Sequence, residues 1–232
     1  MSSTQLVTVC FAALCCIMPA TFYLCWLASV NKKSHPTVVS GKWDFVLVLA
    51  ALSGFLLVGG ALLLTLVQSD TRFILRGNFG QLREGWGQNA VAWLLVAIGY
   101  LLLIIGTAAL TLTNRSRWLS IYNLDAANAE RVIDSALEHS QIQNVTRYGN
   151  RWADGRGILE MVPFHGMSHV TIRLISESPV TRAEIEKQLR AELNTTGTAD
   201  NRSAAWIGTL AGSGVLLNVC LVGLALFVLF FR

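Results

Sequence analysis

Four stretches of this chain, residues 6–30, 45–67, 90–113 and 204–231, carry no Asp, Glu, Lys, Arg or His. Each is longer than the roughly 20 apolar residues that cross about 30 Å of hydrocarbon at 1.5 Å per residue. They predict four transmembrane helices, the last running on to residue 232. Between the third and fourth the pattern changes. "LDAANAERVIDSALEHS" places Ala129, Val132, Ile133, Ala136 and Leu137 on one helical stripe, with Glu130, Arg131, Asp134 and Glu138 opposite. "TRAEIEKQLRAEL" predicts a second helix, with Thr181 as N-cap, Glu184 reaching back, and Ile185, Leu189 and Leu193 along one side.

Three segments between these helices read as strands: "IQNVTRYG", "GILEMVPF" and "HVTIRLIS". In the third, Val170, Ile172 and Leu174 alternate with His169, Thr171 and Arg173, the period of a half-buried strand. "GNRWADGRG" is glycine-rich but lies between strands and lacks the Lys-Ser/Thr of a phosphate loop, so it reads as a hairpin turn. The predicted fold is therefore a polytopic α-helical membrane protein with four transmembrane helices and a small α+β extramembrane domain of two helices on an antiparallel sheet. Its parts are a membrane region, 1–113, with helices about 6–30, 45–67 and 90–113; the inserted domain, 114–203; and the fourth helix, 204–232.

Composition agrees: only 14% of residues are charged, about half the share of an ordinary soluble domain. Tryptophans sit near the predicted boundaries: Trp26, Trp43, Trp86, Trp93, Trp118 and Trp206. An indole has an apolar body and one donor, which suits the membrane–water interface. A cleaved signal peptide is disfavoured for the first stretch, because no basic residue precedes it and its apolar run is long. All five cysteines fall within the spans, with no disulfide framework or zinc spacing, so they read as small apolar filler.

Charge bears on orientation and partners. With the N-terminus outside, Lys32, Lys33, Lys42, Arg115, Arg117 and Arg202 collect on the inner side, which places the 114–203 domain in the cytoplasm. The Asn-x-Ser/Thr sequons at Asn114, Asn144, Asn194 and Asn201 argue the other way. Acidic and basic residues are evenly matched in the domain, so no nucleic-acid partner is expected. In the connection 69–89, Arg72, Arg76 and Arg83 alternate with apolar residues, as in a segment lying among lipid headgroups.

The spans hold no charged group of the kind a pump or ion path keeps, which leaves Asn218 and Tyr100 as the main polar groups. An Asn amide in lipid usually bridges helices. Ala204, Gly208 and Gly212 in the fourth helix, and Ala92, Gly99 and Gly106 in the third, form small-residue stripes suited to close packing within the bundle or against a second chain.

His165 and His169 in "PFHGMSHVTIRL" are the one pair that invites a metal or catalytic reading. Zinc needs three or four ligands, and only His139 or Glu160 could join them through the fold. Pro163 and Gly166 make a turn between two strands the simpler explanation. No cofactor is implied. The sequence predicts a non-enzymatic membrane subunit or scaffold displaying an interaction domain, whose partners are the lipid bilayer and either another protein or further copies of itself. Two alternatives stand beside it: a small-solute or lipid transporter or channel component using Asn218 and Tyr100, and a metal-dependent sensor or enzyme using His165 and His169.

Overall fold

The structure is a computed structural model that describes residues 3–67, 90–140, 145–153, 158–164, 168–175, 179–197 and 202–231. Among them are six α-helices and one six-stranded antiparallel sheet. The helices are α1 (Ser3–Asn31), α2 (Gly41–Val67), α3 (Ala90–Asn114), α4 (Ala126–His139), α5 (Pro179–Thr195) and α6 (Arg202–Phe231). The strands are β1 (Thr37–Ser40), β2 (Trp118–Tyr122), β3 (Thr146–Tyr148), β4 (Arg151–Ala153), β5 (Ile158–Phe164) and β6 (His169–Leu174), in spatial order β1-β2-β6-β5-β4-β3.

Four helices are long and apolar enough to cross a membrane, over Gln5–Asn31, Gly41–Val58, Leu94–Arg117 and Ser203–Phe230. The chain divides into two compact units. One comprises Met1–Tyr23, Val48–Thr111 and Ala211–Arg232; the other comprises Leu24–Leu47 and Leu112–Leu210.

In the helical unit, α1 and α2 meet at Gly54, where an added Cβ would run into the backbone of Cys15 and Cys16. Tyr100 of α3 donates its hydroxyl to the Leu56 carbonyl at 2.7 Å, and its ring lies where a side chain on Gly60 would stand. Asn218 of α6 donates to Thr21 Oγ1 on α1 at 3.0 Å and to its own Gly214 carbonyl at 2.9 Å. Gly214 in turn leaves room for the Thr21 side chain. These contacts are the close backbone approaches and polar bridges that hold helices together where lipid removes the hydrophobic drive.

The second unit is a two-layer α+β arrangement. The stripe Ala129, Val132, Ile133, Ala136 and Leu137 of α4 is buried, together with Ile185, Leu189 and Leu193 of α5. Both helices pack on Leu119, Ile121, Leu159, Met161, Val170, Ile172 and Leu174, the inward positions of β2, β5 and β6. Trp152 of β4 closes this core and donates its indole N–H to Asp134 of α4 at 2.7 Å.

Four details depart from the sequence reading. Arg151–Ala153 of the glycine-rich stretch form β4, paired with β3 and β5, where a turn was expected. The sheet contains β2, whose W-L-S-I-Y alternation directly follows α3 and a single 3-10 turn (Arg115–Arg117). It also contains β1, from the connection between the first two spans, paired Thr37↔Tyr122 through Ser40↔Leu119. Finally, α5 begins at Pro179, a favourable first helical residue. Thr181 therefore lies inside the first turn, and Glu184 accepts from Gln188 at 2.8 Å.

Candidate functional site

The outward positions of the sheet do not all face water. Trp118, Ser120 and Tyr122 alternate with the inward Leu119 and Ile121, and the last seven residues of the unit's first segment, Gly41–Leu47, include the start of α2. Asp44, in the first turn of α2, is buried over this strand. Ser120 donates its hydroxyl to Asp44 Oδ2 at 2.6 Å, and Tyr122 donates to Oδ1. Two hydroxyls at i and i+2 on one side of a strand thus satisfy both oxygens of one carboxylate. The carboxylate also lies where a helix N-terminus favours negative charge.

His169 stands opposite Tyr122 in the β2–β6 register, and the rings stack at 4.5 Å between centroids. On one side Trp26, in the last turns of α1, meets Tyr122 edge-on at 5.7 Å. On the other, Phe164 lies 6.4 Å from His169. Burial holds the His169 imidazole below its ordinary titration range, an effect partly opposed by the Asp44 charge. Its Nε2 is buried and has no hydrogen-bond partner among the described residues. The ring is kept neutral by desolvation, as a stacked and partly buried imidazole should be.

Next to this cluster the chain turns through Asn123, whose φ of 63° is a left-handed conformation that asparagine tolerates well. Asn123 is buried and donates to the Lys33 carbonyl at 2.7 Å, while Leu124 N–H donates to Ser168 O at 2.8 Å. The α1–α2 connection, β2 and the turn before β6 are thereby joined at one end of the sheet. At the other end of the outward face, Arg115 lies over Phe45 and Trp118 at 5.5 and 5.9 Å, and Arg173 lies over Trp118 at 5.5 Å. Glu160 accepts from Arg151 at 2.9 Å and faces Arg173 at 3.8 Å.

Among the residues singled out by sequence, His169 belongs to this cluster, whereas His165 lies outside the described residues. His139 is on α4, in the layer across the sheet, where its Nδ1 meets Ser135 O and Glu192. Glu160 is engaged with the two arginines. Among the described residues, no three His, Cys, Asp or Glu side chains converge as a metal site would require. Ser120 donates to the carboxylate and not to the imidazole, so the cluster is a hydroxyl–carboxylate network beside a neutral ring.

Of the small-residue positions, Ala204 is buried and Gly208 faces the Lys32 side chain, while Gly99, Gly106 and Gly212 have open space where a Cβ would stand. Nothing is described of the Ala92 side chain. Trp26 and Trp118 pack within the sheet unit; Trp43 and Trp206 are exposed. Arg72, Arg76, Arg83 and Trp86 fall outside the described residues.

Sequence reasoning missed Asp44, Ser120 and Tyr122. The signals were present: a lone carboxylate between Trp43 and Phe45 at a span entrance, and a short alternating strand beginning at Trp118. No protein-family model, curated protein or solved structure matches the chain.

Proposed function

We propose that this protein is a non-enzymatic membrane subunit that displays a small α+β domain, tied to the ends of its spans, to a protein partner. The observation that carries this reading is the shared sheet. β1 leads directly into α2, β2 follows α3 through one turn, and the two strands pair along their length. Asp44 then bonds the first turn of α2 to β2. A domain tied at several points loses little further freedom on docking, which favours binding. The solute-carrier alternative gains no support from Asn218 and Tyr100, since both are engaged with neighbouring helices.

The pairing of β1 with β2 also supports an arrangement in which α2 and α3 form a transmembrane hairpin. The Lys/Arg bias then favours a cytoplasmic domain and an outside N-terminus.

The test is purification in mild detergent with photo-crosslinking residues placed at Glu138 and Lys187, both exposed on the helix layer. Discrete adducts with a second polypeptide are expected. Monomeric protein without adducts from either position overturns the proposal. Asn150→Cys, labelled from outside in intact cells, would overturn the orientation alone.

A further inference from the structure

Backbone strain gathers at one end of the sheet. Among the described residues, the two non-glycine residues with positive φ are Asn123 at 63° and Ser168 at 45°. One follows β2, the other precedes β6, and Leu124 N–H donates to Ser168 O between them at 2.8 Å. A serine in the left-handed region persists only where its surroundings hold it there. His169 follows Ser168 directly, and an imidazole is the side chain whose charge changes near neutral pH.

We propose that His169 is a pH-sensitive latch on this end of the sheet: neutral, it holds Tyr122 against Asp44, and protonated, it leaves the stack and lets the tie between β2 and α2 open. Tyr122 is the shared element. Its ring lies nearly parallel to the imidazole, at 16° and 4.5 Å between centroids, while its hydroxyl bonds Asp44. Trp26 meets the tyrosine ring at 5.7 Å, and Phe164 the imidazole at 6.4 Å. An imidazolium donates from both nitrogens. Here Nε2 is sealed from water with no acceptor among the described residues, so a proton held in place would leave a buried donor unsatisfied. Turning out into water relieves this.

The charges around the ring do not reverse the effect. Asp44 on α2 favours the protonated form, but burial outweighs it. Tyr122 is the titratable group that β2 places opposite, and β5 places Phe164 there. Trp26 of α1 is uncharged, and Lys33, after α1, gives its carbonyl to Asn123. Glu160 of β5 and Arg173 of β6 pair with each other, and Glu160 with Arg151, farther along the strands. Release of His169 therefore exposes the Tyr122–Asp44 bond, whereas the inward core against α4 and α5 contains no part of the latch.

The test uses full-length protein carrying His35→Gln, His139→Gln and His165→Gln, which leaves one imidazole. Amide exchange is followed between about pH 7.5 and 5.5, as protection relative to the unstructured chain. Protection at residues 120–124 should fall by up to about tenfold per pH unit below about pH 6.5, the limit for one coupled proton. Ile133 and Leu189, buried in the helix layer, should keep theirs. His169→Phe keeps a ring in the stack that cannot be protonated, and should abolish the fall. The same fall in His169→Phe, an equal fall at Ile133 and Leu189, or no fall at all overturns the proposal. Side-chain NMR of the single labelled histidine needs no change at 169. Its midpoint should lie below about 6.5, in step with the loss of protection, and a midpoint at or above that value also overturns the latch.

Discussion

The two faces of the sheet are built from the same strands yet are held by different physics. The inward face is aliphatic, with Ile121, Ile172 and Val170 almost fully buried against α4 and α5. Its stability comes from apolar area removed from water and close packing. The outward face joins β2 to the span ends through hydroxyls, a carboxylate and stacked rings. Its groups contribute little net energy when satisfied, but leaving one unsatisfied is costly. One face therefore keeps the domain folded, and the other ties β2 to the first turn of α2 and the last turns of α1.

Substitutions should separate these roles. The largest loss is expected on the inward face. Leu189→Ala leaves a cavity among Leu189's buried neighbours and should destabilise the domain by about 2–5 kcal/mol in chemical denaturation. The helical spans should keep their packing. On the outward face, Asp44→Ala strands the Ser120 and Tyr122 hydroxyls and should cost about 2–3 kcal/mol. Its signature is different: amide exchange should rise first in β1 and β2 while α4 and α5 stay protected. If exchange rises uniformly, the two faces are not separable.

A smaller effect is expected at Gly41, where an added Cβ would stand 2.6 Å from Trp118 Cβ and 2.9 Å from the Arg115 and Trp118 carbonyl oxygens. Gly41→Ala must move backbone and should cost about 1–3 kcal/mol. The same substitution at Gly99, which meets open space, should be near neutral and provides the control.

The smallest effect concerns pH. Because burial lowers the folded-state value of His169, the unfolded chain takes up the proton more readily than the folded one. Stability is then fully present above about pH 6.5 and falls as pH drops below it. Thermal melts of the reconstituted protein between pH 5 and 8 should show this slope, and His169→Phe should flatten it.

Most of the inward face, apart from Leu119 and Ile121 of β2, was legible in the sequence because its residues obey a period. The α4 stripe from Ala129 to Leu137 and the Val170-Ile172-Leu174 alternation occupy the buried positions that periodicity assigns them. The outward face was not legible for the same reason. Period 2 sets Ser120, Tyr122 and His169 apart from the core, but it cannot say whether water or a helix end covers them. β1 was hidden because four residues are too short for a periodic signal and its partner begins about 80 residues away. Asp44 was hidden because a carboxylate just outside a span normally reads as a solvated flank.

That separation sets an order of events during synthesis. β1 leaves the ribosome before α2, and its partner β2 appears only after α3. At roughly 5–20 residues per second, the interval is on the order of several seconds. During it Asp44 has neither hydroxyl partner, and the edge of β1 is open to any extended chain nearby. Both α2 and α3 must be made before the sheet can close, so errors in either helix would surface as a misfolded α+β domain.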